Sequence, residues 1–358
     1  MTNYDPFLRG RFPVGVCTIQ APDSARNRRF PCEMWYPALP RYADQDLSPE
    51  TCDGFTVPGS DQPRTQLAVR DAEAKSGPHP LILFSHSSGG GRRQSTFLCT
   101  HLSSHGYVVA AMDHSELVAP ELARKNEETP EQKAARIEAF IANRTPDIRF
   151  LLDHLLNPVF TSKFALDHTR IGIVGHSFGG WTALAAVEAE RRIRAVVALA
   201  PGGSSLRKPG ILPLTLTFQW DRPVPALYLV AENDVSLPLA GMYELFGRAP
   251  STKQMLILRR ADHLHFMDNV EQLHEAVRAM PLTGELAWIQ KEMRPVSELC
   301  SAEQAHLFVR GLTVCHFDAT LREQQEAQQF LSSDVASALA AHGVDAIAYK
   351  PEPATLAT

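Results

Sequence analysis

One segment of this sequence has the residue types and order for nucleophilic chemistry: Gly175-His176-Ser177-Phe178-Gly179-Gly180. A serine hydroxyl that is to attack a carbonyl must stand clear of its own backbone. A sharp turn between a strand and a helix achieves this at the cost of a strained backbone angle. The apolar run Ile171-Gly172-Ile173-Val174 precedes the serine and a helical pattern, Phe178–Ala189, follows it. Small residues are needed at 175 and 179, where side chains would collide across the turn, and Gly180 lets the helix start lie close to the sheet. The first amide of that helix, at Phe178, carries the positive end of the helix dipole and can face a developing oxyanion.

A serine nucleophile needs a base, an acid to orient the base, and a second oxyanion donor. The run Leu227–Val230 leads into Ala231-Glu232-Asn233-Asp234-Val235-Ser236-Leu237-Pro238, where Asp234 is the expected acid and Glu232 its rival. The run Met255–Leu258 leads into Arg259-Arg260-Ala261-Asp262-His263-Leu264-His265, where His263 is the expected base and His265 the second choice. A His-x-His pair can bind zinc, but no further ligand cluster accompanies it, so no metal site is expected. After Leu81–Phe84 comes the Gly-rich loop Ser85-His86-Ser87-Ser88-Gly89-Gly90-Gly91-Arg92. The Ser88 amide is the expected partner of Phe178 in the oxyanion hole, with His86 orienting the loop. The loop lacks the lysine and Ser/Thr of a phosphate-binding P-loop. Ser87 and Trp220 are expected to contact substrate. Arg92 and Arg93 suit either substrate contact or a surface and packing role. No cofactor is required by such chemistry.

The elements that must position these groups are legible as short apolar runs. Phe12–Ile19 and Phe30–Tyr36 alternate loosely and read as early strands. Leu81–Phe84, Tyr107–Ala111, Ile171–Val174, Ala195–Leu199, Ala226–Val230 and Met255–Leu258 are continuous, as in strands buried on both faces of a parallel sheet. Helical patterns at Gln94–Ser104, Asp147–Leu156, Phe178–Ala189 and Leu239–Phe246 lie between them. The alternation predicts a mostly parallel sheet of about eight strands flanked by helices. Residues 37–80 read as a long loop or insertion. Residues 115–146 carry a charged helix, Pro130–Ile141, which is either a solvated connector or a cap beside the site. Residues 201–225 are rich in Pro and Gly but hold Leu212, Leu214, Phe218 and Trp220, which would line a pocket or anchor the loop. Residues 1–283 are expected to form the catalytic core and 284–358 a helical extension packed on it.

Composition narrows the class. The 358 residues are 44% apolar, enough for a large core, and the net charge of -5 gives no support to nucleic-acid binding. No apolar run approaches the roughly 18 residues of a membrane span. No secretory signal is visible at the start, and the six scattered cysteines suit free thiols, so a cytoplasmic location is expected. The oligomeric state is not readable.

The order Ser177, Asp234, His263 matches the serine–acid–histidine order of the α/β-hydrolase fold. Pro80–Asp113, Arg170–Gly180 with its Gly-His-Ser-Phe-Gly-Gly elbow, and Arg11-Phe12-Pro13-Val14-Gly15 resemble the platelet-activating-factor acetylhydrolases. Leu227–Phe266 is more similar to dienelactone-hydrolase-related esterases and cutinases. Two departures stand out. The acetylhydrolases place their acid after the strand following the nucleophile helix, where this chain has Leu199-Ala200-Pro201, so the resemblance to cutinases implies Asp234 instead. Ser87 stands where these families usually have Gly. Dienelactone hydrolases proper use Cys where this chain has Ser177. The resemblance implies hydrolysis of small-molecule carboxylic esters through an acyl-enzyme. An amidase or peptidase would use the same groups, whereas non-catalytic binding proteins of this fold usually lack one of the three.

Overall fold

The computed structural model describes residues 4–57, 62–125 and 127–351. The last seven residues of the expected C-terminal extension lie outside the described residues, as do 58–61 and 126 within the expected insertions. The strands are β1 (Val14–Asp23), β2 (Arg28–Pro37), β3 (Asp53–Phe55), β4 (Arg64–Gln66), β5 (Val69–Arg70), β6 (His79–Ser85), β7 (Val108–Met112), β8 (Leu166–His176), β9 (Ile193–Leu199), β10 (Ala226–Ala231), β11 (Lys253–Leu258) and β12 (Ala346–Ala348). Ten of them form one sheet in the order β12-β11-β10-β9-β8-β6-β7-β2-β1-β5, while β3 and β4 pair separately as a small hairpin. The pairs from β11 through β10, β9, β8 and β6 to β7 are parallel. The long hairpin β1–β2 joins β7 antiparallel. This is the α/β-hydrolase fold.

The continuous apolar runs become strands because the sheet is covered on both sides. Leu81 and Leu83 of β6, Val108 and Ala110 of β7, and Tyr228 and Val230 of β10 enter one core. Their neighbours Ile82, Phe84, Val109, Ala111, Leu227 and Leu229 enter the other. Successive side chains of a strand point to opposite faces, so burial on both faces demands an unbroken apolar run rather than an alternating one. The helix Phe178–Ala189 and much of the helix Pro130–Leu155 cover the first face. Helix Thr96–Ser104 and the C-terminal helix Ala302–Leu321, with Phe308, Leu312 and Phe317, cover the second.

The sheet has ten strands rather than about eight. The additions, β5 and β12, are two and three residues long, too short for a periodic pattern to register. Because β12 closes the β11 edge antiparallel, the C-terminal extension is not purely helical as expected. The two helices expected between 130 and 156 are one, Pro130–Leu155, running through Pro146. Its start is fixed by a capping box in which Thr129 and Gln132 exchange side-chain-to-backbone hydrogen bonds. The buried stripe Phe140, Arg144, Ile148 and Leu151 continues across the proline, so packing outweighs the one hydrogen bond that Pro146 removes.

Candidate active site

Four loops at the C-terminal ends of parallel strands converge where this class of sheet carries ligands. They are the glycine-rich loop after β6, the turn after β8, and the loops after β10 and β11. At the turn after β8, Ser177 has φ 59° and ψ −115°, a conformation that L-residues adopt only when the surroundings enforce it. Its amide donates to Leu199 O on β9 (2.9 Å), and its carbonyl accepts from the amides of Trp181 (3.0 Å) and Gly202 (3.0 Å). Close packing explains the glycines. A Cβ on Gly175 would sit 2.1 Å from Gly179 O, and one on Gly179 would sit 1.9 Å from Ser85 O of the neighbouring strand.

Asp234 is buried and its carboxylate is doubly anchored. Oδ1 accepts from the amides of Ser236 (2.9 Å) and Leu237 (2.8 Å), which leaves Oδ2 to accept from His263 Nδ1 at 2.6 Å. His263 is 18% exposed. With Nδ1 engaged, Nε2 is the nitrogen left to meet a hydroxyl. Burial pulls the imidazole pKa down, but the Asp234 charge and hydrogen bond outweigh it, with help from Asp262, and the pKa is raised above 6.5. The His263 ring lies 4.7 Å, centroid to centroid, from the ring of His176, the residue before Ser177. Among the described residues no hydrogen bond joins Ser177 Oγ to His263. His176 is itself buried, which holds its pKa well below 6.5, so a neutral ring backs His263.

Gln94 links the elbow to the loop after β6. Its Nε2 lies 3.1 Å from His176 Nδ1, and its Oε1 accepts from both the amide (2.8 Å) and the hydroxyl (2.7 Å) of Ser87. Ser87 is therefore turned inward and buried, held by Gln94 rather than facing a substrate as expected. Ser88, the next residue, is exposed. Trp220 also departs from expectation. Its ring packs edge-on to Phe218 at 5.7 Å. Its loop neighbours Thr217 and Gln219 bond Glu188 near the far end of the elbow helix, on the order of 15 Å from Ser177 at 1.5 Å per residue. Leu214 of the same loop is the residue that approaches the elbow, against Gly202. Arg92 and Arg93 both lie within ion-pair distance of the fully buried Glu33.

The rivals have other partners. Glu232 pairs with Arg259 at 2.8 Å and accepts from the Arg260 amide. His265 faces Asp262 Oδ1 (2.8 Å) and Cys300 O (3.1 Å). Two side chains that single-sequence reading missed, Gln94 and Arg144, hold the loop after β6. Arg144 carried a signal, since it falls on the apolar stripe of its helix, four residues after Phe140 and four before Ile148.

Known proteins agree with this architecture. The family model for platelet-activating factor acetylhydrolase, isoform II, matches residues 65–150 and 141–268. A platelet-activating factor acetylhydrolase of Canis lupus familiaris is 28% identical over 224 residues, covering 53% of this chain and 48% of that protein. A cutinase of Thermobifida alba is 24% identical over 192 residues, covering 53% of this chain and 54% of the cutinase. The chain thus matches about half the length of such relatives. A ferulic acid esterase from Streptomyces cinnamoneus superposes with a TM-score of 0.61 and 26% identity, covering 88% of this chain and 92% of that one. The family model spans more than half of the sequence and includes the β6 loop, the Ser177 elbow and both loops that carry Asp234 and His263, so this chain belongs to the platelet-activating factor acetylhydrolase isoform II family.

Proposed function

We propose that this protein is a serine esterase that hydrolyses small-molecule carboxylic esters through Ser177, His263 and Asp234. The observation that carries the reading is the 2.6 Å His263–Asp234 pair, set beside a serine held at a positive φ on a strand-to-helix elbow. Relatives named as an acetylhydrolase, a cutinase and a ferulic acid esterase support ester bonds as the target.

In this reading His263 Nε2 takes the Ser177 proton as Oγ adds to the ester carbonyl. The amides of Ser88 and Phe178 hold the resulting oxyanion. Collapse breaks the bond to the alcohol, which leaves with the proton from His263. Water, deprotonated by the same imidazole, then attacks the acyl-serine and releases the acid. Residues 1–283 supply every group, and the chain after 284 buttresses the sheet through the helix Ala302–Leu321.

Ser177→Ala is expected to lower p-nitrophenyl-ester turnover by about 10⁴-fold or more with the thermal midpoint kept. It should also abolish labelling by a fluorophosphonate probe. Retention of full turnover by the variant would refute the assignment.

A further inference from the structure

We propose that Arg144, on the helix Pro130–Leu155, is a positioning residue that aims the Ser88 amide into the oxyanion hole. The inference rests on Ser177 being the nucleophile and names a group that works through the backbone rather than on the substrate. Arg144 is completely buried; its Nε has no hydrogen-bond partner among the described residues, and its two terminal nitrogens carry all of its hydrogen bonds. Nη1 donates to His86 O at 2.7 Å and lies 3.3 Å from Ser85 Oγ. Nη2 reaches Ser87 O at 3.4 Å and pairs with the Glu116 carboxylate. Two consecutive carbonyls of the β6 loop are thus gripped by one planar fork, a geometry that lysine cannot reproduce.

The consequence follows from peptide geometry. In a trans peptide the C=O and the following N–H point in opposite directions. Ser87 O also accepts from His86 Nδ1 (2.7 Å) and from the Gly90 amide (3.2 Å). The His86 tautomer is set from its far side, because its Nε2 accepts the His114 amide (3.2 Å), which leaves the proton on Nδ1. With Ser87 O held by three donors, the Ser88 N–H faces the other way, out of the loop. The amide of Ser87 cannot compete, since Gln94 holds it. The same guanidinium lies 4.0 Å over the ring of Phe178, which bears the second donor. One side chain therefore braces both halves of the hole.

The test uses the full chain, with Arg144→Lys and Arg144→Met beside the wild type. Each variant should lose about 10- to 100-fold in kcat on p-nitrophenyl acetate, below the loss for deleting a donor outright, with KM within about twofold. An aryl trifluoromethyl ketone, which Ser177 Oγ converts to a tetrahedral adduct bearing the oxyanion, should bind more weakly by the same factor. Its binding is read by ¹⁹F NMR and needs no turnover. Active-site titration corrects both measurements for folded fraction. Unchanged kcat and ketone affinity per titrated site in both variants would overturn the inference and leave Arg144 as a packing residue. A wild type that neither turns over the ester nor binds the ketone, or a Ser177→Ala variant that retains turnover, would instead overturn the esterase reading and this inference with it.

Discussion

Two histidines two residues apart each hold a carboxylate, and they differ in almost everything else. His263 meets Asp234 with one nitrogen and keeps the other free at a partly open surface. His265 is fully buried and both its nitrogens are occupied, Nδ1 against Asp262 Oδ1 and the Asp262 amide, Nε2 against Cys300 O. Asp262 in turn lies 2.5 Å from His274 Nδ1, whose Nε2 is bonded to Arg294 O. A carboxylate between two imidazoles ties the loop after β11 to the helix Val270–Ala279 and to the chain beyond it. Residue type does not separate a base from a structural clamp; the count of unoccupied nitrogens does. A proton can be shuttled only by a ring with a nitrogen to spare.

The sharpest way to break this contrast is to neutralise each carboxylate in turn. Asp234→Asn should lower kcat by about 10⁴-fold, because the amide no longer favours the correct tautomer or the imidazolium. Its cost in stability should be about 1.5–3 kcal/mol, that of one charge-assisted hydrogen bond. The pH profile adds a signature. The base works when neutral, so kcat/KM rises with pH through the His263 pKa. In the wild type the midpoint should lie above 6.5, where Asp234 holds it. In the variant burial acts without that carboxylate, and the midpoint should move down. A midpoint that stays in place would mean that Asp234 does not hold the base.

Asp262→Asn should do the reverse. It leaves the buried His265 and His274 without their shared counter-charge, and we expect a loss of about 3–5 kcal/mol in denaturant unfolding. Turnover per titrated site should change far less than in Asp234→Asn, because Asp262 acts on His263 through its charge and not through a hydrogen bond to the ring. Burial works against the charged His265, but the hydrogen bond and charge of Asp262 prevail and push its pKa up to about 10, while Asp262 is held well below its usual 3.8. A raised histidine contributes stability that is complete below its unfolded value of 6.5 and is lost as pH climbs towards 10. A depressed aspartate contributes stability above its unfolded value that is lost as pH falls through its folded one. The gap between wild type and variant should therefore be widest from about pH 4 to 6.5 and narrow on either side. A gap that widens from pH 6.5 to 9 would contradict the clamp.

The parts of this arrangement that a sequence reader can see are those with a local cause. The elbow is legible because the strand, the turn and the helix that strain Ser177 are contiguous in the chain. The eight longer sheet strands are legible because burial on both faces forces unbroken apolar runs. β5 and β12 are not, because two or three residues carry no period. Gln94 and Arg144 act across the fold, 82 residues to His176 and 58 to His86, and polar residues that serve distant carbonyls or rings leave only a faint local mark. Ser87 and Trp220 show the converse. A hydroxyl in a glycine-rich loop and a tryptophan in a proline-rich one look available for ligand, yet Gln94 and Phe218 occupy them.

The smallest expected effect concerns the other carboxylate on the β10 loop. Glu232 and Asp234 are two residues apart, and both follow the same strand. Their side chains divide by what the backbone offers them. Asp234 sits at the start of a turn whose two amides fix one oxygen and aim the second at His263. Glu232 is turned the other way, towards the Arg259 guanidinium and the amide of Arg260, a residue at φ 50°. Its ion pair is partly open to solvent and is worth about 0–1 kcal/mol. Glu232→Gln keeps an oxygen that can accept the Arg260 amide, so the loop should hold its shape. Stability should fall by no more than about 1 kcal/mol and kcat/KM should stay within about twofold, since a change of about 0.5 kcal/mol is typical for such positions. A loss of activity comparable to that of Asp234→Asn, measured on the same ester, would mean that the acid can be supplied from either residue and that the aim of the Asp234 carboxylate is not what selects it.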